Sequence, residues 1–296
     1  MNLDPPPSVI ELVKDNPAAD AIWKKWLSSL QVWVADNMSN DFFFEASKGN
    51  VDGHSIVHKF GHSDAVGTTI VPVASGNVYQ TPTSAQSLEL VSTLAADNQA
   101  GTGARSITIV GLDANWEEQT VVANMHATDG TIAEAVTGTW IRVYRAYVTP
   151  LGSGTYASAS AGSSAGVISL QGTGGGALWA RLDFHGGFAL SQSQIGAYTV
   201  QKGKTAYVGN INIEVDTAKE IDIVFFQRTD ANVVTPPYGA MRAISPFTGI
   251  TDKQDLRPKT WHGPYNEYTD IGFMASRSSP GTSSASVDFE IMLVDN

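Results

Sequence analysis

The sequence predicts a mainly β protein, an antiparallel β-sandwich of jelly-roll-like type with an amphipathic α-helix near its N-terminus. Three observations carry that prediction. From about residue 50 onward, short runs rich in Val, Ile, Thr, Tyr and Phe alternate with clusters of Gly, Asn, Asp and Ser. No helical periodicity separates these runs, so crossover helices and a parallel sheet are excluded in favour of a sandwich. The first fifty residues obey a different rule, the three- and four-residue spacing of a helix. The chain of 296 residues is long enough for one large β domain or two smaller ones.

The helix comes first. In "DNPAADAIWKKWLSSLQVWVADN", Asp15 or Asn16 caps and Pro17 takes the first helical position. Ile22, Trp26, Leu30, Trp33 and Val34 then line one face, widened by Trp23 and Leu27, while Lys24, Lys25, Ser28, Ser29 and Gln31 take the other. Such a face suits either packing on the chain's own domain or docking on a partner. A membrane-surface role is disfavoured, because the polar face carries only these two lysines. The arm is expected over residues 1–50, with a loop at 37–50, and the β region over 51–296. The low-complexity stretch "PLGSGTYASASAGSSAG" (150–166) is a loop that divides the β region into candidate halves, 51–150 and 166–296.

Within the β region, "TTIVPVAS", "SLELVSTL", "RSITIVGL", "EQTVVANM" and "TWIRVYRAYVTP" read as strands in order, followed by "GVISLQG", "ALWARLDF", "EIDIVFFQR", "YTDIGFMAS" and "SVDFEIMLVDN". In "IRVYRAYV", alternation sets Ile141, Val143 and Arg145 against Arg142, Tyr144 and Ala146. "TVQKGKTAYVGNINIEV" reads as a hairpin turning at "KGK" (202–204). The proline-rich stretch 229–267 reads as an irregular loop. Its aromatic residues and the one just beyond, Tyr238, Phe247, Trp261, Tyr265 and Tyr268, suit a sugar-binding platform or a subunit interface, or plain packing of loop on sheet.

The chemistry-bearing patterns are few. "HSIVHKFGH" places His54, His58 and His62 four residues apart. In an extended strand they share a face but lie about 13 Å apart, too far for one metal, so no metal is expected. "GTGAR" (101–105) and "GTGGGA" (172–177) lead into strands rather than helices, so they are hairpin or bulge glycines and not phosphate loops. "NWEEQ" (115–119) sets adjacent acids on opposite faces of a strand, which does not make a glycosidase pair. With no cysteine there is no thiol nucleophile or disulfide. No catalytic residue and no cofactor are expected.

Composition narrows the partners. Charged residues are 16% of the chain, against roughly 25% in ordinary soluble domains. The net charge is -11 and no Lys/Arg cluster exists, which excludes nucleic acid as a partner. No apolar run is long enough for a membrane span, and the N-terminus lacks the pattern of a signal peptide, so synthesis in a cytoplasm is expected.

Several stretches together, "HKFGHSDAVGT", "GTGARSITIVGLDANWEEQT", "IRVYRAYV", "GAYTVQKGKTAY" and "EYTDIGFMAS…SVDFEIMLVDN", resemble a β-rich structural protein family of marine tailed bacteriophages and cyanophages. The resemblance spans about residues 54–296 and leaves out the first fifty. It implies a non-catalytic virion protein made in the host bacterial cytoplasm, either a head decoration (accessory capsid) protein or a head-tail or tail component. The implied partners are other virion proteins (capsid, connector or tail) and further copies of itself, as a trimer or ring. The residue reading agrees with an assembly component: Ile22, Trp23, Trp26, Leu27, Leu30, Trp33 and Val34 are the candidate docking residues. A receptor- or glycan-binding tail protein is the alternative, and a glycan-degrading enzyme a third reading.

Overall fold

The computed structural model describes residues 23–30, 42–149, 164–185, 188–216, 219–251, 254–256 and 261–296. Of the predicted docking face, Ile22, Trp33 and Val34 lie outside the described residues, as does most of the Ser/Gly-rich stretch. The chain divides into two compact units, Met1–Ile56 and Val57–Asn296.

In the first unit, residues 23–30 are helical as predicted. Trp23, Trp26 and Leu30 are half-buried at three- and four-residue spacing, and the two indoles meet edge to face at 5.4 Å. Leu27 is exposed. A second helix, Phe42–Ser47, replaces part of the loop expected at 37–50. Its three successive phenylalanines hide the helical period, and a Glu45–Lys48 ion pair one turn apart supports it.

The second unit is mainly β and antiparallel. In chain order its strands are β1 (His54–Val66), β2 (Val71–Pro72), β3 (Leu88–Ser92), β4 (Ser106–Leu112), β5 (Glu118–Asn124), β6 (Glu134–Ala135), β7 (Arg142–Val148), β8 (Ile168–Gly172), β9 (Leu178–Leu182), β10 (Phe184–His185), β11 (Phe188–Ala189), β12 (Ala197–Thr199), β13 (Lys204–Val215), β14 (Ile221–Arg228), β15 (Arg242–Ile250), β16 (Gln254–Leu256), β17 (His262–Tyr265), β18 (Asp270–Ser276) and β19 (Ser283–Asp295). Two sheets, β1-β19-β13-β16 with β17 on β13 and β12-β18-β14-β15 with β2 on β18, enclose one core. Two others, β6-β3-β8-β9 and β5-β4-β7, enclose a second. β8 follows the Ser/Gly-rich loop yet pairs with β3, and β9 pairs with β8, so the two sandwiches do not divide at residues 150–166.

Alternation builds the first core. β19 buries Ser283, Ala285, Val287, Phe289, Ile291 and Leu293 and turns the residues between them outward. Its partner β13 buries Ala206 and Val208, then switches parity to Ile211, Ile213 and Val215. The switch is a β-bulge between Gly209 and Asn212, with Asn210 at φ 48. A bulge of one residue restores the inward face that a straight strand would lose. Phe225, Phe273 and Phe289 fill the centre, with ring centroids 4.9 and 5.2 Å apart in sequence.

Two expectations are corrected by the pairing. "KGK" is not a hairpin turn: β12 pairs with β18 and β13 with β19, so Gly203 (φ 75) carries the chain between sheets. The stretch 229–267 is not wholly irregular, because β15, β16 and β17 lie in it. Prolines 246 and 264 disguise two of them. A missing N–H is tolerated at a sheet edge, and β15 is the outermost strand of its sheet. In β7, Tyr144 is an extra residue between the pairs Arg145↔Val110 and Val143↔Gly111. Tyr144 therefore joins the first core while Val143 and Ala146 join the second, which overturns the simple alternation read from "IRVYRAYV".

The two sandwiches meet at a buried ion pair. Arg142 of β7 is wholly buried and grips Asp270 of β18 through Nε–Oδ1 at 2.9 Å and Nη2–Oδ2 at 3.0 Å. Nε also reaches Thr199 Oγ1 of β12, and Nη1 donates to Ile141 O at 2.7 Å. Thr199 Oγ1 in turn donates to Asp270 and meets the Tyr79 hydroxyl, and Tyr144 donates to Thr199 O. Burial works against the Arg142 charge, but Asp270 more than offsets it and holds the guanidinium pKa above its ordinary value.

Removing one partner would strand the other's charge, at about 3–5 kcal/mol. Asp270→Asn is expected to lose stability of that order in urea denaturation, and the pair Arg142→Met with Asp270→Leu to recover much of it. A loss under about 1 kcal/mol in Asp270→Asn would mean that the pair is incidental.

Candidate functional site

The predicted histidines lie in β1, where each has partners of its own. His54 Nδ1 lies 2.9 Å from Asp52 O. His58 Nε2 meets Asp288 Oδ2 at 2.9 Å on the neighbouring strand β19. His62 meets Ser286 Oγ at 2.8 Å and Asp64 Oδ1 at 2.7 Å. The stretch is a strand with histidines along it, as read from its composition, and among the described residues no group of three His, Asp or Glu side chains is placed to hold a metal.

The glycine motifs are explained by what approaches them. "GTGGGA" is the turn of the β8–β9 hairpin, and Gly174 and Gly175 (φ 73 each) direct their N–H groups at an anion. The anion is the chain's own Glu89, at 3.0 and 2.9 Å. A hydrogen bond from Gln171 and these two N–H groups hold the Glu89 carboxyl below the usual range. "GTGAR" lies in a loop joining strands of different sheets and is not a hairpin. A Cβ on Gly103 would meet Asp97 Oδ1 at 2.2 Å. That buried carboxylate accepts from Ser92 Oγ and from the N–H groups of Ala104, Ala165 and Gly166, at 2.6–2.8 Å, and so ties the β3–β4 loop to the end of β3 and to the segment before β8.

The five aromatic residues proposed as a platform have different neighbours. Tyr238 is exposed, in the β14–β15 loop with Val233, Val234 and Met241. Phe247 is half-buried against the first core. Trp261 lies against Gly209, where a Cβ would meet its ring at 2.9 Å. Tyr265 belongs to the core, and burial pushes its phenol up to about 12. Tyr268 (φ 61) sets its ring edge-on to Trp116 at 5.6 Å, and Trp116 underlies Arg142 at 5.0 Å. Tyr268 thus belongs with the buried ion pair.

The arrangement with the most chemical potential was missed in the sequence. A cavity of about 230 Å³ opens where β1, β5 and β7 approach, lined by Lys59, Phe60, Glu118, Tyr144, Arg145 and Tyr147 among others. Lys59 is inward-facing in β1 and 6% exposed. Its ammonium donates to Tyr144 O at 2.8 Å and lies 5.9 Å from the Tyr144 ring. Burial, then the positive Arg145, pull its pKa from 10.5 to about 7, against the pull of Glu118. Arg145 lies between the Phe60 and Tyr147 rings, at 5.5 and 5.1 Å, and donates to Gln192. Partial desolvation raises Glu118, opposed by Lys204 and Lys59. The signal was present: Val57, Lys59, Gly61 and Ser63 share one parity of β1, and a lysine there has no solvent to face.

No family model and no curated protein matches the chain. Among solved structures, a chain of the infectious bursal disease virus Gx strain structure aligns over 81% of this chain and 70% of that one, at 9% identity and a TM-score of 0.21. The PBSX exported protein XepA aligns over 79% and 86%, at 13% identity and a TM-score of 0.18. The infectious bursal disease virus VP2 subviral particle aligns over 83% and 77%, at 12% identity and a TM-score of 0.17. Scores of this size fall short of a shared fold.

The Lys59 charge makes stability depend on pH. Between its folded pKa of about 7 and the ordinary 10.5, the unfolded chain binds the extra proton, so stability rises with pH across that window. Below pH 7 the full penalty of burying the charge is present. Lys59→Met is therefore expected to stabilise the protein at pH 6, by on the order of a few kcal/mol, with the gain shrinking steadily towards pH 10. Denaturant titrations of both proteins across that range check it; a difference independent of pH would refute the shifted lysine.

Proposed function

We propose that this chain is a non-catalytic structural protein of a tailed-phage virion, which docks through its N-terminal unit and assembles as a symmetric homo-oligomer on the head or at the tail. One observation carries the docking role. The N-terminal unit is one of two compact units, yet it holds Leu27, Phe42, Phe43 and Phe44 exposed, at 39–59% of their surface, and Trp23 and Trp26 only half-buried. Fully burying a large apolar side chain is worth roughly 1.5–3 kcal/mol, so a partner that covered several would bind firmly. The charge-poor composition and the resemblance of residues 54–296 to phage structural proteins support a place in a particle. Symmetry there multiplies weak contacts. Decoration of the head and a tail position differ in copy number: hundreds per virion for the first, six or twelve for a connector or tail ring.

The test is deletion of residues 1–45. The β unit is expected to keep its far-UV strand signal and melt cooperatively, and to fail to enter particles. A truncated protein that unfolds, or one that assembles normally, would each rule out the arm as the anchor.

A further inference from the structure

The cavity beside Lys59 holds a charge imbalance. Two cations, Lys59 and Arg145, line it, in a chain whose net charge is -11. Neither has a carboxylate within ion-pair distance among the described residues. Lys59 gives one of its three N–H groups to Tyr144 O and has no other acceptor there, although it is almost wholly buried. Arg145 spends one N–H on Gln192 and is otherwise held by ring faces. A buried ammonium with unused donors is costly unless something supplies the missing acceptors. The one acid in the lining, Glu118, stands at the exposed end of β5 and forms no ion pair with either cation.

The rest of the lining says what carries the anion. Phe60 and Tyr147 present ring surface, Val57, Val110 and Ile195 are aliphatic, and Ser193, His58 and Glu118 are polar. At about 230 Å³ the space is smaller than the ~300–1,000 Å³ of sites for drug-sized molecules. It fits a single ring. A bare inorganic anion would leave the apolar lining uncovered, and a neutral sugar would leave the two cations unpaired.

We propose that this cavity binds a hexuronic acid, free or as the terminal unit of an acidic glycan, with its carboxylate on Lys59 and Arg145. The guanidinium fork takes the two carboxylate oxygens, the ammonium adds its unused N–H groups, and the apolar side of the sugar ring lies on the rest of the apolar lining. Glu118 and Ser193 face the hydroxyls. Carboxylate binding favours the protonated lysine, so it draws in a proton above neutral pH. The other titratable groups around Lys59 are His58, which is paired with Asp288, and Tyr144, Tyr147 and Tyr198.

Calorimetric titration of the full chain with glucuronate, glucose and inorganic phosphate tests this. Glucuronate is expected to bind with millimolar or better affinity, and glucose and phosphate not to bind measurably. Affinity should fall about tenfold or more between pH 6.5 and 9 as Lys59 loses its proton. Arg145→Gln, at an exposed position, should weaken glucuronate at least about tenfold, and Lys59→Met should abolish binding, each in protein that still melts cooperatively and no lower than the parent. Glucuronate bound no better than glucose would overturn the proposal. So would phosphate bound as well as glucuronate, which would mean an adventitious ion only, and so would glucuronate binding that ignores pH and Arg145→Gln.

Discussion

A guanidinium with no exposed surface has to be neutralised where it lies, and Arg142 is neutralised by a residue of the other sandwich. Taking two ions out of water costs several kcal/mol each, and only good geometry with further hydrogen bonds recovers that. Here the geometry is two-pronged and the remaining valences are taken up by Ile141 O and Thr199. Thr199 meets Tyr79 and Tyr144 in turn, so β7, β12 and β18 are bound at one point. The Trp116 ring covers the guanidinium at 5.0 Å, and Tyr268 abuts Trp116. Both residues adopt positive φ, a backbone form that non-glycine residues take only where the surroundings impose it.

That junction shapes the candidate site as well. The bulge at Tyr144 lets β7 serve both cores at once. Tyr144 stacks on Tyr198 at 4.3 Å on one side of the strand, and its carbonyl receives Lys59. Arg145, next along, is turned outward over Phe60 and Tyr147. One strand therefore supplies both the residue that joins the sandwiches and one of the two cations of the cavity. Such a site rests on strands rather than on loops, which holds its charges at fixed separation.

Much of the fold was legible. β19 and the ends of β13 announce themselves by alternation, and the helix by its tryptophan spacing. What was hidden has physical reasons. Pro246 and Pro264 mimic loop composition because edge strands spare an N–H. "KGK" has hairpin chemistry, but a turn's residues do not say whether the next strand returns to the same sheet. Bulges at Asn210 and Tyr144 shift parity by one, and no local pattern marks them. Of the site, the histidines drew attention by their type, while Lys59 between them carried the unusual environment. A lone lysine reads as surface until the strand's inward parity is known, and the acceptors it lacks are distant in sequence.

If the Arg142–Asp270 junction makes one cooperative body of the two sandwiches, their most protected amides must open together. Native-state hydrogen exchange in low urea measures this directly. The slowest amides of β4 and β8 and those of β13, β18 and β19 are expected to show one opening free energy and one urea slope. Exchange of the β4 and β8 amides through a separate opening, several kcal/mol below that of β13 and β19, would contradict it.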